Sequence, residues 1–264
     1  QAVGMGRAWA EASPAARAVF DEADRVLGDA LGTSLSRLCF EGPAERLDRT
    51  DASQPAILAT SAACWAGLHD EAAGAGEGAG SGAAALPPLA AVAGLSLGEY
   101  TALHLAGAFD LATGLRLVAE RGRLMQEAAE ASEGGMVALI GAEEADADAV
   151  CDEARGDEVL VPANYNAPGQ IVLSGSAAAC DRAVAAAEGR GLRATRLTVA
   201  GAFHSPLMQP AADRMAEVLG AAEIRAPRVP VWSNVTGEAH DPEDVELLRE
   251  RLVQQITSPV RWAQ

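Results

Sequence analysis

A strand, tight turn and helix at residues 89–106, and an alternation of strands and helices over residues 136–199, predict an α/β chain. In the first run, Leu89-Ala-Ala-Val-Ala-Gly94 reads as a buried-strand-length apolar segment, and Gly94-Leu95-Ser96-Leu97-Gly98 as a Gly-x-Ser-x-Gly turn. Helix formers follow in Thr101-Ala-Leu-His-Leu-Ala106. The second run reads βαββαβ, the split pattern of a ferredoxin-like unit. The expected architecture is an α/β-hydrolase-like parallel-sheet body over residues 1–129 and 200–264, with a ferredoxin-like subdomain inserted at 130–199. With 264 residues, 49% of them hydrophobic, the chain can bury a core large enough for a domain carrying such an insert.

Taken in order, Ser13-Pro14 reads as an N-cap followed by a first-turn proline. The helix it opens runs to Leu27, with Val19, Phe20, Ala23, Val26 and Leu27 on its inner face and Gly28 closing it. A second helix is expected from Gln54-Pro55 to about Asp70. Residues 72–85, rich in Gly and Ala, read as a surface loop without the register of a phosphate cradle. Asp110 to about Ala129 is a helix with Leu111, Leu115, Val118, Gly122, Met125 and Ala129 inward. Within the insert, the strands are 136–140, 159–165, 170–174 and 194–199, and the helices are 143–155 and 176–190. The acids between Glu143 and Asp148 lack the glycine and terminal glutamate of a calcium loop and suit a helix N-terminus.

Composition removes several function classes. A formal net charge of -17 repels phosphate backbones and anionic lipid, so neither nucleic acid nor a membrane surface is an expected partner. The longest apolar stretch, around 83–97, is broken by two prolines and is too short to span a bilayer. Every basic residue is arginine, which excludes the lysine-dependent Schiff-base enzymes, Walker-type nucleotide binders and protein kinases. The four cysteines are scattered and fit a reducing cytoplasm. Cys64 and His69, five helical steps apart, lie roughly 140° apart around an axis and read as core and surface.

Ser96 is the candidate nucleophile, held in strained backbone with glycines at 94 and 98 relieving the crowding. A small-residue loop is the bland alternative. A serine needs a proton acceptor, and four histidines are available. His104 lies about 12 Å up the helix from Ser96 at ~1.5 Å per residue, and His240 sits among acids as a solvated surface group. His204, in Gly201-Ala-Phe-His-Ser205 after an expected strand Leu197–Gly201, stands where a parallel sheet presents functional loops. The backbone N–H of Leu97 is the usual first oxyanion donor of such an elbow.

These residues resemble the malonyl-CoA:acyl carrier protein transacylases and the related acyltransferase domains of polyketide and fatty acid synthases. Six motifs carry the likeness in order: Gly94–Tyr100, Glu120–Gln126, Asn164–Gln170, Gly201–Ser205, Ser233–Gly237 and Gln255–Trp262. The resemblance implies malonyl transfer from malonyl-CoA to the phosphopantetheine thiol of an acyl carrier protein through an acyl-Ser96 intermediate, with no cofactor, in fatty acid or polyketide biosynthesis. It implies a Ser96–His204 dyad whose imidazole is oriented by the backbone carbonyl of Gln255. It also implies Arg121 as the clamp on the malonyl carboxylate, a choice that suits a planar guanidinium. Phe203 would crowd an α-methyl branch, and Met125 and Asn166 join the substrate-binding set. The family pattern starts with a strand and a glutamine-bearing oxyanion loop. Gln1 matches only the last glutamine of that loop, and the chain stops short of the family's last helix and strand. A serine esterase or thioesterase, or an inactive fragment lacking the oxyanion loop, are the alternative expectations. Arg190, Arg193 and Arg196 form the densest basic cluster and a candidate carrier-docking patch.

Overall fold

A computed structural model of the chain describes residues 1–78 and 86–264. It divides into two compact units, residues 1–122 with 222–231 and residues 123–221 with 232–264.

The first unit is helical and organised on one long helix. Short helices α1 (Arg7–Ala12), α2 (Pro14–Leu27) and α3 (Leu35–Glu41) pack against α5 (Thr50–Gly78), and α4 (Ala44–Leu47) leads into it. The Ser13 hydroxyl accepts a hydrogen bond from the Ala16 N–H at 3.2 Å, capping α2 as expected. Ala16, Phe20, Ala23 and Leu27 form its buried stripe, while Val19 and Val26 are half-buried at its margins. α5 starts four residues before its expected onset and contains Pro55. The proline leaves one helical acceptor unused. The last part of the expected 72–85 loop lies outside the described residues, and residues 72–78 are the final turns of α5.

α6 (Leu97–Leu105) and α7 (Leu111–Glu130) follow, the latter capped by Asp110, whose carboxylate accepts from the Thr113 N–H at 2.7 Å. Residues as far as Gly122 belong to the first unit. A Cβ on Gly122 would stand 2.5 Å from the Thr50 carbonyl oxygen, so this glycine lets α7 meet the start of α5 backbone to backbone. The expected strand before the elbow is reduced to one parallel bridge, Val92 to Val231, with the Val92 N–H donating to the Pro230 carbonyl at 2.9 Å.

In the second unit, β1 (Gly134–Ile140), α8 (Glu144–Arg155), β2 (Leu160–Ala167), β3 (Gln170–Ser176), α9 (Ala177–Gly189) and β4 (Arg193–Arg196) reproduce the expected βαββαβ order. The sheet order is β2-β3-β1-β4 and every neighbouring pair is antiparallel. Alternation sorts the side chains. Val137, Leu139, Ile171 and Leu173 enter the core under α8 and α9, while Met136 and Val172 face the other way with Ala163. Pro162 cannot donate to the ladder, and the β2–β3 register shifts between Pro162 and Asn164. Glu143 and Asp146 form a capping box at the start of α8, which accounts for the acids there. Ion pairs from Arg190 to Glu153 and from Arg196 to Asp181 occupy two members of the basic cluster. The helices α10 (Gln209–Ala221) and α11 (Val245–Gln254) pack together, and the Tyr165 N–H donates to the Val260 carbonyl on the outer edge of β2.

β4 ends at Arg196, so the expected strand at Leu197–Gly201 is instead an irregular segment, exposed through Ala200. Leu197 still donates its N–H to the Met136 carbonyl of β1 at 2.9 Å, but the paired register stops at Arg196, and an apolar stretch without continued pairing does not make a strand. His240, expected at the surface, is 7% exposed, which shows that neighbouring acids in sequence do not fix a residue's burial. Among the described residues no helix is long and apolar enough to cross a membrane, and no group of His, Cys, Asp and Glu is placed to hold a metal.

Candidate active site

The elbow is built by one glycine. A Cβ on Gly94 would lie 2.0 Å from the carbonyl carbon and oxygen of Gly98, whereas one on Gly98 meets nothing within 4 Å. The expectation that both glycines relieve crowding therefore holds at Gly94 only, because the Gly98 side-chain position points into open space. Ser96 caps α6 with φ 51° and ψ -108°, and the Gly98 N–H closes the turn onto the Leu95 carbonyl at 2.8 Å. Leu97 is the first residue of α6, where backbone N–H groups have no helical acceptor and can serve an oxyanion.

Arg121, on α7, is 1% exposed. One guanidinium nitrogen donates to the Gln54 side-chain oxygen at 2.8 Å and the other to the Ser96 Oγ at 3.0 Å. Its Cζ stands 5.5 Å from the centre of the buried Tyr100 ring. Burial pushes the guanidinium below the usual arginine range, opposed by the charges of Tyr100 and Glu99. The same burial pushes the Tyr100 hydroxyl up. A cation thus stands one hydrogen bond from the Ser96 Oγ, with the geometry to receive an anionic group there. Gln54, 5% exposed, was legible only as a helix start. The missed signal was a glutamine among the small and apolar residues of a helix with no polar face, where a polar side chain needs a partner inside.

The second unit carries the imidazole. His204 has φ 56°, and with Ser96 it makes up the positive-φ non-glycine residues among those described. It is 4% exposed, and its Nδ1 lies 2.7 Å from the backbone carbonyl oxygen of Gln255, at the end of α11. A carbonyl only accepts, so Nδ1 carries the hydrogen and Nε2 keeps the lone pair that can take a proton. The turn beneath is fixed by the Ser205 hydroxyl, which donates to the Ala202 carbonyl at 2.7 Å. Gly201 lies where a Cβ would be 2.5 Å from that of Ala129. Phe203 is half-buried, one side on Met136, Ala163 and Val172. Met125 is 3% exposed on α7, and Asn166 is half-buried on β2, its Oδ1 buried without a hydrogen-bond partner among the described residues. His104 is away from the elbow, its Nδ1 3.2 Å from the Phe109 carbonyl, and burial lowers its pKa.

Of the expected site residues, the structure puts Ser96, Leu97 and Arg121 together in the first unit and His204, Gln255, Phe203, Asn166 and Met125 in the second. In a mixed α/β protein, a serine at positive φ at the start of α6, with a buried arginine on its oxygen, has the geometry of a candidate for the nucleophile-elbow class.

The comparisons with known proteins narrow that class. The acyl transferase domain family matches residues 1–264, and the chain belongs to it. The malonyl CoA-acyl carrier protein transacylase of Salmonella typhimurium is 39% identical over 263 residues, covering 99% of this chain and 79% of that protein. The solved structure of the transacylase (FabD) from Coxiella burnetii superposes with a TM-score of 0.87 at 37% identity, covering 99% of this chain and 77% of that one. A type II polyketide synthase acyl-carrier protein in complex with its malonyl-transacylase gives a TM-score of 0.86 at 38% identity, covering 99% of this chain and 79% of that one.

Proposed function

We propose that this chain moves a malonyl group from malonyl-CoA to the phosphopantetheine thiol of an acyl carrier protein. The observation that carries the reading is the buried Arg121 guanidinium 3.0 Å from the Ser96 Oγ. A neutral acyl group has nothing to offer a buried cation there, whereas a malonyl carboxylate accepts two charge-assisted hydrogen bonds worth about 1.5–3 kcal/mol each. The names of the relatives support the same substrate pair.

In this reading His204 Nε2 accepts the Ser96 proton as Oγ attacks the thioester carbonyl. The Leu97 N–H stabilises the tetrahedral oxyanion, and coenzyme A leaves as its thiol with the proton returned by His204. The carrier thiol then gives its proton to His204 and attacks the acyl-Ser96 ester, and the serine leaves reprotonated. The Gln255 carbonyl holds the imidazole tautomer, a carbonyl doing the work of the usual triad acid. Phe203, Met125 and Asn166 shape the acyl pocket, and the orphaned Asn166 Oδ1 supports its place there. No cofactor takes part. The body over 1–129 and 200–264 is of the α/β-hydrolase type and the 130–199 insert ferredoxin-like, a division supported by the βαββαβ order and its antiparallel sheet. The cysteines are all thiols, which supports a cytoplasmic setting.

Incubation with labelled malonyl-CoA followed by intact mass tests this. The chain should gain one malonyl group, pass it to a carrier protein's thiol, and gain nothing as Ser96→Ala. An adduct persisting on that variant would sink the nucleophile, and release as free malonate in the presence of carrier would make the chain a hydrolase.

A further inference from the structure

Arg121 and Tyr100 are the two largest fully buried side chains among the described residues. They lie together, with the Arg121 Cζ over the Tyr100 ring and 5.5 Å from its centre. Tyr100 sits one helical turn beyond Ser96 on α6, and a side chain at that position leans back toward the helix N-terminus. The guanidinium therefore meets α6 twice, through a hydrogen bond of 3.0 Å to the Ser96 Oγ and through the face of the Tyr100 ring. The Tyr100 hydroxyl is buried and makes no hydrogen bond of ordinary geometry to any described residue. An unsatisfied buried hydroxyl destabilises a fold, so the ring, and not the hydroxyl, is the part of Tyr100 that the site uses.

We propose that Tyr100 is a positioning residue for the Arg121 clamp: the face of its ring holds the guanidinium beside the Ser96 Oγ, ready for a substrate carboxylate. This rests on the acyl-transfer reading above for its catalytic consequence, though not for its structural one. The negative face of an aromatic ring attracts a cation, and most strongly where water is excluded, as it is around a guanidinium 1% exposed. A carboxylate in the same place would accept N–H hydrogen bonds and compete for them with the substrate. A ring face attracts the charge as a whole and leaves in-plane N–H groups to oxygen acceptors. A cation held in position before the substrate arrives also has less freedom to lose when it binds. Tyr100 thereby favours a malonyl group over a neutral acyl group without touching either.

Two measurements on the full chain test this. In the first, Tyr100→Leu should lower the malonyl-over-acetyl ratio of kcat/KM by about tenfold or more, the loss of a desolvated cation–ring contact, and Tyr100→Phe should recover it. Phenylalanines carrying one, two and three ring fluorines, placed at position 100 by nonsense suppression, keep the shape of the ring while draining its face of charge. Across that series the ratio should fall step by step, through a rising KM for malonyl-CoA. A level ratio across the series, or a ratio already lost in Tyr100→Phe, would overturn the proposal. Equal losses with both thioesters would mean a packing role only and overturn it too. The second measurement needs no substrate and does not depend on Tyr100→Leu folding. Melting temperatures of the fluorinated series should fall with each fluorine in the wild-type background and stay level in an Arg121→Gln background, the two backgrounds forming a cycle. Equal slopes in the two would overturn the proposal. If the wild-type chain forms no acyl adduct with malonyl-CoA, the acyl-transfer reading fails while the melting series still decides whether the ring holds the cation.

Discussion

Replacing Gly94 by alanine adds one methyl group at the tightest point of the elbow. That carbon would stand 2.0 Å from the Gly98 carbonyl carbon and oxygen and 2.6 Å from its Cα, against ordinary contact of 3.4–4 Å. Reaching 3.4 Å from 2.0 Å opens the turn by about 1.4 Å, and both partners are backbone, which cannot swing aside as a side chain would. Overpacking of this kind costs about 1–3 kcal/mol, and a chain of this size loses about 2–4 °C of melting temperature per kcal/mol. The catalytic loss should be larger than the stability loss, because a misplacement of about 1 Å at a reacting atom costs about 10²-fold. Gly98→Ala is the internal control: its Cβ meets nothing, so stability should be unchanged or up to about 1 kcal/mol higher, with malonyl loading intact. Rapid-quench loading of Ser96 from labelled malonyl-CoA, with thermal melts of each variant, reads both quantities. Wild-type loading in Gly94→Ala, or equal losses in the two variants, would refute crowding as the device that presents the serine.

Arg121→Ala should lower malonyl kcat/KM by about 10²- to 10⁴-fold, two charge-assisted bonds at ~1.5–3 kcal/mol each, and raise the relative use of acetyl-CoA. Unchanged selectivity in a competition assay would remove the clamp. His104, its folded pKa below the unfolded value near 6.5, contributes stability that is fully present above about pH 6.5 and is lost as pH falls through the lower folded value. His104→Gln should therefore flatten the melting temperature between about pH 7.5 and 5, and an unchanged slope would contradict it.

How far the sequence could be read depended on how local the determinants were. The α2 cap at Ser13, the α8 capping box and the period-2 strands of the small sheet depend on residues a few positions apart, and the order βαββαβ was legible to within a few residues. Ser96 was legible because the turn and the helix that follows it adjoin, although the strand expected before them is only a single bridge at Val92. Partners distant in the chain were not: Gln54 meets Arg121 across 67 positions, and no spacing rule connects them. The start of α5 was missed because it is set by the close approach of Gly122 to Thr50, which outweighs the local signal of Pro55. Leu197–Gly201 failed as a strand because pairing decides that state: the register with β1 ends at Val137 and Arg196, and beyond it stands one bond from the Leu197 N–H to the Met136 carbonyl.

Ser96 and His204, at φ 51° and 56°, sit where side chains rarely go. Conformations of this kind cost about 1–3 kcal/mol apiece and persist only because surrounding structure enforces them. Glycine at either position would release that energy and, on the mechanism proposed above, remove a group the transfer needs. Selection for robustness alone would thus push this chain towards a sturdier, inert relative. On that mechanism, the left-handed backbone of these two residues is strain held for activity and not for durability.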